Sequence, residues 1–436
     1  MLALSNDYIP VFMPRVLYSL VYYLLLPAIF LRLLWRSLAA PAYRYRVAER
    51  FGFTGIQPLD KTIWVHAVSV GETLAAAPVV NQLLQAYPDF RIVMTTTTPT
   101  GSERVRALFG DRVHHVYAPY DLPGSVRRFL DDVKPRLLII METELWPNML
   151  YHCREQGCNV LLANARMSAR SARGYLRFAS LTKAMMTNIN QVAAQSDSDA
   201  QRFKAMGLVE SAMEVTGSIK FDVDVSEDQR QKVAELKQQW ATQQRPVFVA
   251  ASTHQGEDEL VLEAFVQLKA EFSNALLVLV PRHPERFSQV LTLCQLREWH
   301  VLTRTSGIAP DLSVDILLGD TMGELSLFLG AASVAFIGGS LVAHGGHNML
   351  EASAWGVPVV SGPHVFNFAD ISQLLEQAGG LQFVEDSNQL AQCLINLMAD
   401  TSKCQAMGKA GLTMVEQNRG ATQKLLVLID HQLAGG

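Results

Sequence analysis

The chain has 436 residues, of which 49% are apolar and 18% are charged, and its formal net charge is −4. This apolar content exceeds what one ordinary domain needs, so we predict two domains. No long run of one charge sign occurs, which argues against nucleic acid as a partner. The five cysteines are odd in number and form no CxxC pair, so a disulfide framework or a zinc site is not expected. The cysteines are instead typical of a protein in a reducing compartment.

An apolar segment lies near the N-terminus. Residues 16–31 carry no charge, with Arg15 before them and Arg32 after them. Sixteen helical residues reach about 24 Å, short of the ~30 Å hydrocarbon core, although snorkelling arginines and local thinning can close that gap. Residues 1–40 are therefore predicted to form a membrane anchor, which either spans the bilayer or lies in its interface.

The flanks of this segment indicate its orientation. Arg32, Arg36, Arg44, Arg46 and Arg50 follow it, against a single acid, Glu49. The positive-inside rule then places the main body of the chain in the cytoplasm. A cleaved signal peptide ending at residues 40–42 is the alternative, and the two arginines before that site count against it.

From residue 62 onward, short apolar runs alternate with amphipathic stretches, which predicts parallel sheets with right-handed crossovers. The predicted strands cover residues 62–68, 91–95, 136–141, 160–163, 246–251, 276–280, 300–303, 316–318, 334–337 and 357–360. The predicted helices cover residues 73–86, 100–109 and 227–240.

The pattern pauses over residues 222–245 and then restarts. The predicted fold class is therefore α/β, with two doubly wound, Rossmann-like domains over residues 41–222 and 223–436. Because ligands bind beyond the carboxyl ends of parallel strands, we expect a ligand cleft between the two domains.

The first candidate site is Ser69-Val70-Gly71-Glu72, between a strand and its helix. Ser-x-x-Glu is a capping box, and that role alone explains both polar residues. The position at the end of a first strand also suits a catalytic carboxylate. The helix dipole favours the charged form, so Glu72 is expected to stay ionised and to act as a weak base.

Glu142 and Glu144 follow the predicted strand 136–141 directly. Two acids at the end of a buried strand are costly unless they face a cleft. The alternative is helix-start chemistry, with Thr143 as the cap and Pro147 in the first turn.

Lys220 lies in Thr216-Gly217-Ser218-Ile219-Lys220-Phe221-Asp222, near the predicted domain junction. It could meet a leaving phosphate or a carboxylate, and a solvated surface lysine is the alternative. Asp222 and Asp224 match the DxD pattern of metal-dependent sugar transferases, but no acidic neighbours support a metal site there.

Three segments of the second half suit an anionic ligand. Pro281-Arg282-His283-Pro284 holds a guanidinium stiffly, as phosphate binding requires, and a structural arginine is the alternative. The turn 319–325 carries backbone amides that could hold a base or a phosphate. The alternative is a plain helix cap by Asp320 or Thr321.

The third segment, residues 338–351, ends a strand with glycines and begins a helix, where phosphate is expected. Glu351 could accept the hydroxyls of a ribose. His344 and His347 could ligate a metal, but no third ligand is evident. A purely structural glycine loop is the alternative.

Nine ordered motifs together resemble the Kdo (3-deoxy-D-manno-octulosonic acid) transferases of Gram-negative lipopolysaccharide assembly. They are SVGE at 69–72, TPTGSERV at 98–105, PYDLP at 119–123, METELWPN at 141–148, NAR-x-SARS at 164–171, TGS-x-KFD at 216–222, PRHPERF at 281–287, GDTMGEL at 319–325 and GGHN-x-LEA at 345–352.

The resemblance implies a GT-B fold and an inverting, metal-independent transfer of Kdo from CMP-Kdo to a lipid A precursor, at the cytoplasmic side of the bacterial inner membrane and without a cofactor. Glu72 then corresponds to the catalytic base, and Glu142 and Lys220 to residues that support the transition state. The implied CMP-binding residues are Pro281, Arg282, Met322, Gly323, Glu324, Asn348, Met349, Leu350 and Glu351.

Two other functions remain open at this point. Sugar-nucleotide epimerases share the GT-B architecture but need no lipid acceptor, so the N-terminal anchor and its arginines count against them. A membrane-tethered nucleotide-sugar sensor would not need Glu72 for its function.

Overall fold

The structure, a computed structural model, describes residues 9–57 and 61–434. It divides into two compact units: the first unit comprises Met1–Ile219 with Gly420–Gly436, and the second unit comprises Lys220–Arg419. The sequence analysis placed the junction after residue 222 and assigned all later residues to the second domain. The contacts place it after Ile219 and return the last segment to the first unit.

The N-terminal helix α1 (Ile9–Ala39) is longer than the uncharged segment that predicted it, because it continues through Arg32 and Arg36. Over Pro14–Ala39 it is long and apolar enough to cross a membrane, by length and composition alone. The helix is therefore not shorter than the hydrocarbon core, as the uncharged residues 16–31 alone would be.

One face of α1 packs against the first unit. The Ser19 hydroxyl lies 3.2 Å from Asn148 Oδ1, the Arg15 guanidinium donates to the same oxygen at 3.0 Å, and Phe30 stacks on Phe51 with ring centres 5.5 Å apart. The remaining surface of the helix is apolar and exposed. Its exposed side chains include Leu17, Leu20, Leu24, Leu31, Leu34, Trp35 and Leu38.

The first unit contains one parallel seven-stranded sheet. Its strands are β1 (Thr62–His66), β2 (Arg91–Thr96), β3 (His114–Tyr117), β4 (Pro135–Met141), β5 (Asn159–Ala165), β6 (Gln191–Ala194) and β7 (Met213–Val215). Their order is β3-β2-β1-β4-β5-β6-β7, so the winding direction reverses between β1 and β4. The sequence predicted β1, β2, β4 and β5 but not the other three, which are short and include both edges of the sheet.

Helices cover this sheet. They are α2 (Val70–Ala86), α3 (Pro99–Phe109), α4 (Pro123–Val133), α5 (Pro147–Glu155), α6 (Ala169–Leu176), α7 (Ala179–Met186) and α8 (Asp197–Ala205). Successive residues of β1 enter different cores, with Trp64 on one face and Ile63 and Val65 on the other. A parallel strand buried on both faces needs such a continuous apolar run, which is why β1 was easy to predict.

The second unit repeats this arrangement with a second parallel sheet. Its strands are β8 (Val247–Thr253), β9 (Leu276–Pro281), β10 (Val301–Thr303), β11 (Ile316–Leu318), β12 (Val334–Ile337), β13 (Val359–Ser361) and β14 (Leu381–Phe383). The order is β10-β11-β9-β8-β12-β13-β14, so the winding reverses between β8 and β12. Only β14, a three-residue edge strand, was not predicted.

The helices of the second unit complete its two outer layers. They are α9 (Glu227–Gln239), α10 (Glu257–Glu271), α11 (Phe287–Leu296), α12 (Leu325–Ala331), α13 (Leu350–Ala354), α14 (Ala369–Gln377), α15 (Ser387–Ala399) and α16 (Thr401–Asn418). Short 3₁₀ turns occur at Pro41–Arg44, Val47–Phe51, Gly110–Arg112, Glu210–Ala212, Ile219–Phe221, Pro284–Arg286 and Arg304–Ser306.

The last helix, α17 (Ala421–Ala434), explains the correction to the domain boundary. Its buried residues Leu425 and Ile429 belong to the core that contains Ile63 and Val65 of β1. Sequence periodicity marks such a helix as amphipathic but does not say which sheet its apolar face covers.

Candidate active site

Glu72 lies in the first turn of α2, at the carboxyl end of β1. The Ser69 hydroxyl accepts from the Glu72 amide at 3.2 Å and donates to Glu72 Oε1 at 2.9 Å, while the Val68 amide donates to Oε2 at 2.8 Å. The serine half of the capping box expected from Ser-x-x-Glu is therefore present, but Glu72 accepts from the Val68 amide and the Ser69 hydroxyl instead of the Ser69 amide. They hold both carboxylate oxygens in place and leave Glu72 only 8% exposed.

The environment of Glu72 corrects the expectation that it stays ionised. Burial is the main cause that raises the pKa of Glu72 to about 7. The carboxylates of Glu144 and Glu142 act in the same direction, and the hydrogen bonds from Val68 and Ser69 act against it. Desolvation outweighs the helix dipole here because the side chain is buried. A carboxylate with a pKa near neutrality is a stronger base than the weak one predicted.

Glu142 and Glu144 follow β4, the neighbour of β1, so the two strands at the reversal of winding carry the acidic residues. Glu142 has a left-handed backbone with φ 58°, which turns the chain sharply out of the strand. Burial raises the pKa of Glu144, whose Oε2 accepts from the Trp146 indole at 2.9 Å. Three carboxylates thus share one edge of the first sheet.

The helix-cap alternative for Thr143 is wrong. Helix α5 begins at Pro147, and the Asp121 carboxylate accepts from the first free amides, those of Asn148 at 3.0 Å and Met149 at 2.7 Å. Thr143 instead donates to the Arg166 carbonyl. The segments PYDLP and METELWPN are therefore joined by a structural contact.

His66 was not singled out from the sequence, although it ends β1. It is fully buried, its Nδ1 lies 2.8 Å from Thr95 Oγ1, and its ring meets Trp146 edge-on at 4.8 Å. Burial lowers the pKa of His66 to about 3, so the ring is neutral. A histidine at the end of a strand, three residues before Ser69 of the SVGE segment, was the available signal.

Lys220 belongs to the second unit, whereas Glu72 and Glu142 belong to the first. Its ammonium lies 5.6 Å from the centre of the Phe368 ring, and the side chain is half-buried rather than a fully solvated surface lysine. Asp224 is exposed, and within the described residues no group of three or more acidic, histidine or cysteine side chains could hold a metal.

Arg282 follows β9 and is exposed. Its amide donates to the Thr253 carbonyl at 3.0 Å, which holds it beside the end of β8. Burial lowers the pKa of His347 and raises the pKa of Glu351, and the Arg282 charge also acts on both groups, so the guanidinium is close to the segment after β12. The structure therefore brings Pro281-Arg282 and the segment 348–351 together.

Met322, Gly323 and Glu324 form a turn before α12. Met322 is 65% exposed, whereas Glu324 accepts a forked pair of hydrogen bonds from Arg304, at 3.1 Å to Nε and 2.7 Å to Nη2. The caps predicted from Asp320 or Thr321 are not formed, because α12 starts without a side-chain cap. A cleft of about 500 Å³ is lined by this turn, Arg304 and α9.

The glycine loop after β12 begins with three amides that serve an internal contact. The amides of Gly339, Ser340 and Leu341 do not face a vacant anion site, because all three donate to the carboxylate of Glu257, at 2.6 to 2.9 Å. Glu257 is fully buried at the start of α10 and also accepts from His254 N at 2.9 Å. An internal carboxylate thus occupies the amides directly after β12, whereas the sequence analysis expected phosphate at the start of the following helix.

The segment from Asn348 to Glu351 has a different environment. Helix α13 is only five residues long, so its dipole is small, and the Leu350 amide donates to Asn348 Oδ1 at 3.2 Å. Burial raises the pKa of Glu351, whose Oε1 accepts from Asn348 Nδ2 at 3.2 Å. Met349 and Leu350 are buried in the core, so Asn348 and Glu351 are the members of this segment that can offer polar side chains to a ligand.

Comparison with known proteins identifies the family. The family model described as "3-Deoxy-D-manno-octulosonic-acid transferase (kdotransferase)" matches residues 45–223. The chain is 43% identical to a 3-deoxy-D-manno-octulosonic acid transferase of Haemophilus influenzae, over 90% of this chain and 92% of that protein. It is 36% identical to one of Bordetella pertussis, over 97% of this chain and all of that protein.

Among solved structures, the fold matches that of a UDP-GlcNAc 2-epimerase from Neisseria meningitidis, with a TM-score of 0.53 over 86% of this chain and all of that one, at 13% identity. This likeness concerns the fold alone and is consistent with the GT-B type expected from the resemblance. The identities to the curated transferases extend over nearly the whole chain. This protein therefore belongs to the family of 3-deoxy-D-manno-octulosonic acid (Kdo) transferases.

Proposed function

We propose that this enzyme transfers Kdo from CMP-Kdo to a lipid A precursor, with Glu72 as the general base and without a metal ion. The pKa of Glu72, about 7, carries the proposal, because a buried carboxylate of that kind can accept a hydroxyl proton near neutral pH. The acceptor oxygen attacks the anomeric carbon of Kdo, its proton passes to Glu72, and the bond from that carbon to the phosphate oxygen breaks, which releases CMP.

The hydrogen bonds around Glu72 support this role. Ser69 and Val68 fix both carboxylate oxygens, so the base needs no rearrangement before it accepts a proton. Glu142 and Glu144 add negative charge beside it, which suits a cationic or hydrogen-bonding transition state and keeps the pKa of the base high. We assign Glu142 and Lys220 as supporting residues.

On the donor side, we assign CMP to the segments that follow β9, β11 and β12. Arg282 supplies a guanidinium for the phosphate, and Glu351 supplies a carboxylate near it for the ribose hydroxyls. CMP leaves as an anion, so positive charge at the phosphate stabilises the departing group.

Helix α1 supports action at a membrane. Its inner face is fixed to Asn148 and Phe51, so this side of the helix is not available to lipid. We therefore favour a helix that lies in the interface of the inner membrane, on its cytoplasmic side, over one that spans it. Its exposed side chains Leu24 and Trp35 would enter the acyl boundary, where the lipid acceptor resides.

The test uses the purified full chain in detergent with CMP-Kdo and lipid IVA. We expect the acceptor to gain the mass of Kdo while CMP is released in equal amount. Release of CMP with an unchanged acceptor mass would show a hydrolase instead. Conversion of a sugar nucleotide to its epimer without transfer would favour the epimerase alternative.

A further inference from the structure

Four imidazole rings lie together at the carboxyl ends of β8, β9 and β12. His254 stacks on His344 with ring centres 4.2 Å apart, lies 5.1 Å from His347 in a nearly parallel plane, and meets His283 edge-on at 5.4 Å. We call these four residues the histidine cluster. The sequence analysis considered only His344 and His347, as metal ligands.

The geometry of the cluster does not suit a metal. The ring nitrogens of stacked imidazoles have lone pairs in parallel planes, so they do not converge on one ion. The Nε2 atoms of His254 and His347 are 2.8 Å apart and share one hydrogen bond. Within the part of the chain that the structure describes, no metal-binding group of three such side chains occurs.

The cluster adjoins the residues assigned to CMP. His283 follows Arg282 directly, and His347 precedes Asn348. His283 and His344 are exposed, so a ligand can reach them. The amides of Gly339 and Ser340 beside the cluster donate to Glu257, so they are not available to an anion of the ligand, whereas the exposed histidine side chains are.

The donor carries two acidic groups, the phosphodiester of CMP and the carboxylate of the octulosonic acid. Resting on the proposed function, we propose that the histidine cluster binds the carboxylate of the donor's sugar acid and takes up a proton as that carboxylate enters, while Arg282 serves the phosphate. In this proposal, the cluster gives the enzyme a higher affinity for a nucleotide-linked sugar acid than for the nucleotide alone.

The proton uptake follows from the charges around the cluster. Burial lowers the pKa of His254 and His347 to about 4, so both rings are neutral near pH 7. A carboxylate within hydrogen-bond reach favours the imidazolium form. The groups that act on these two rings are each other, His283, His344, Arg282, Arg286 and Glu257.

Two carboxylates face the cluster: Glu257, whose oxygens accept from four backbone amides, and Glu285, whose Oε1 lies 3.9 Å from His283 Nδ1. Glu257 holds the cluster's supporting loop in place, and burial outweighs the effect of its charge on His254, whose pKa stays lowered. Affinity for the donor should fall as pH rises from 6 to 8, because the proton that accompanies binding becomes scarcer.

The experiment compares two ligands by titration calorimetry, CMP and freshly prepared CMP-Kdo, with the full chain in detergent. The variants are His283→Ala, His344→Ala and the pair combined. His300→Ala is the matched control, because His300 is also exposed and lies in the second unit but outside the cluster. Titrations in two buffers of different ionisation enthalpy measure proton uptake.

We expect the double variant to bind CMP-Kdo about tenfold or more weakly and CMP within about twofold of the parent, since only CMP-Kdo loses hydrogen bonds to a charged carboxylate. Proton uptake should accompany CMP-Kdo but not CMP. Equal losses for both ligands, or equal proton uptake, would overturn this inference and leave the proposed function intact. A parent protein that binds neither ligand would overturn both.

Discussion

The two sheets have the same parallel, doubly wound architecture, but their ligand-binding edges carry opposite chemistry. The edge of the first sheet holds Glu72, Glu142 and Glu144, two of them with pKa values raised by burial. The edge of the second sheet holds Arg282 and the histidine cluster, in which burial keeps His254 neutral. In the functions that we propose, burial prepares a base in one unit and a proton-accepting anion site in the other. The scaffold is common, and the residues just after the strands decide what each edge can do.

The largest effect is expected from Glu72→Gln. The amide retains the size and part of the capping contacts but cannot accept a proton, so we expect kcat to fall by about 10²–10⁴. CMP affinity and the melting temperature should stay near those of the parent protein. Glu210→Gln, at an exposed acid of the same unit, is the control. A variant that unfolds while the control does not would show that the carboxylate serves mainly as a cap.

The donor edge is tested by Arg282→Ala. Loss of a charge-assisted fork to phosphate should weaken CMP binding by about 10- to 100-fold, and kcat should change less than KM. Arg297→Ala, at another arginine of the second unit, should leave CMP binding unchanged. Unaltered CMP affinity in Arg282→Ala would remove this residue from the donor site.

The raised pKa of Glu72 predicts a pH profile. The base acts in its ionised form, so activity is lost as pH falls through about 7, and kcat should rise about tenfold between pH 6 and pH 8. Initial rates at saturating donor and acceptor measure this. A rate that is constant down to pH 5 would contradict the assignment, because it would require a carboxylate with an ordinary pKa.

The exposed face of α1 is best tested by substitution, because a deletion would uncover Asn148, which is fully buried under that helix. Leu24→Ser combined with Trp35→Ser should reduce activity on acceptor in vesicles a few-fold, because less apolar surface enters the membrane. Activity on detergent-dispersed acceptor should not change. Leu296→Ser, at an exposed leucine of the second unit, is the control and should affect neither assay.

The smallest effect is expected from metal removal. Arg282 and Lys220 are proposed to supply the positive charge that a divalent ion provides in other sugar transferases. Treatment with EDTA should therefore leave the rate within twofold of the untreated enzyme. Inactivation that one divalent ion reverses would return Asp222 and Asp224 to consideration as ligands.

The sequence by itself determined the α/β class, the central strands and the family. Strands such as β1 and β4 are buried on both faces, and this burial demands apolar runs that can be recognised without a structure. The missed strands β3, β6, β7 and β14 are short, and three of them lie at sheet edges, where less surface is buried. The site segments were also recognisable, since they follow strand ends that the pattern already located.

Only the tertiary structure decided how these segments are used. The pKa of Glu72 depends on burial and on carboxylates about 70 residues away, and the glycine loop's amides are taken by Glu257, about 80 residues before them. The histidine cluster likewise unites three strand ends. Helix α17 returns to the first unit because its apolar face fits the core around β1. Charge, burial and packing depend on distances through space, and a local pattern of residues carries no information about them.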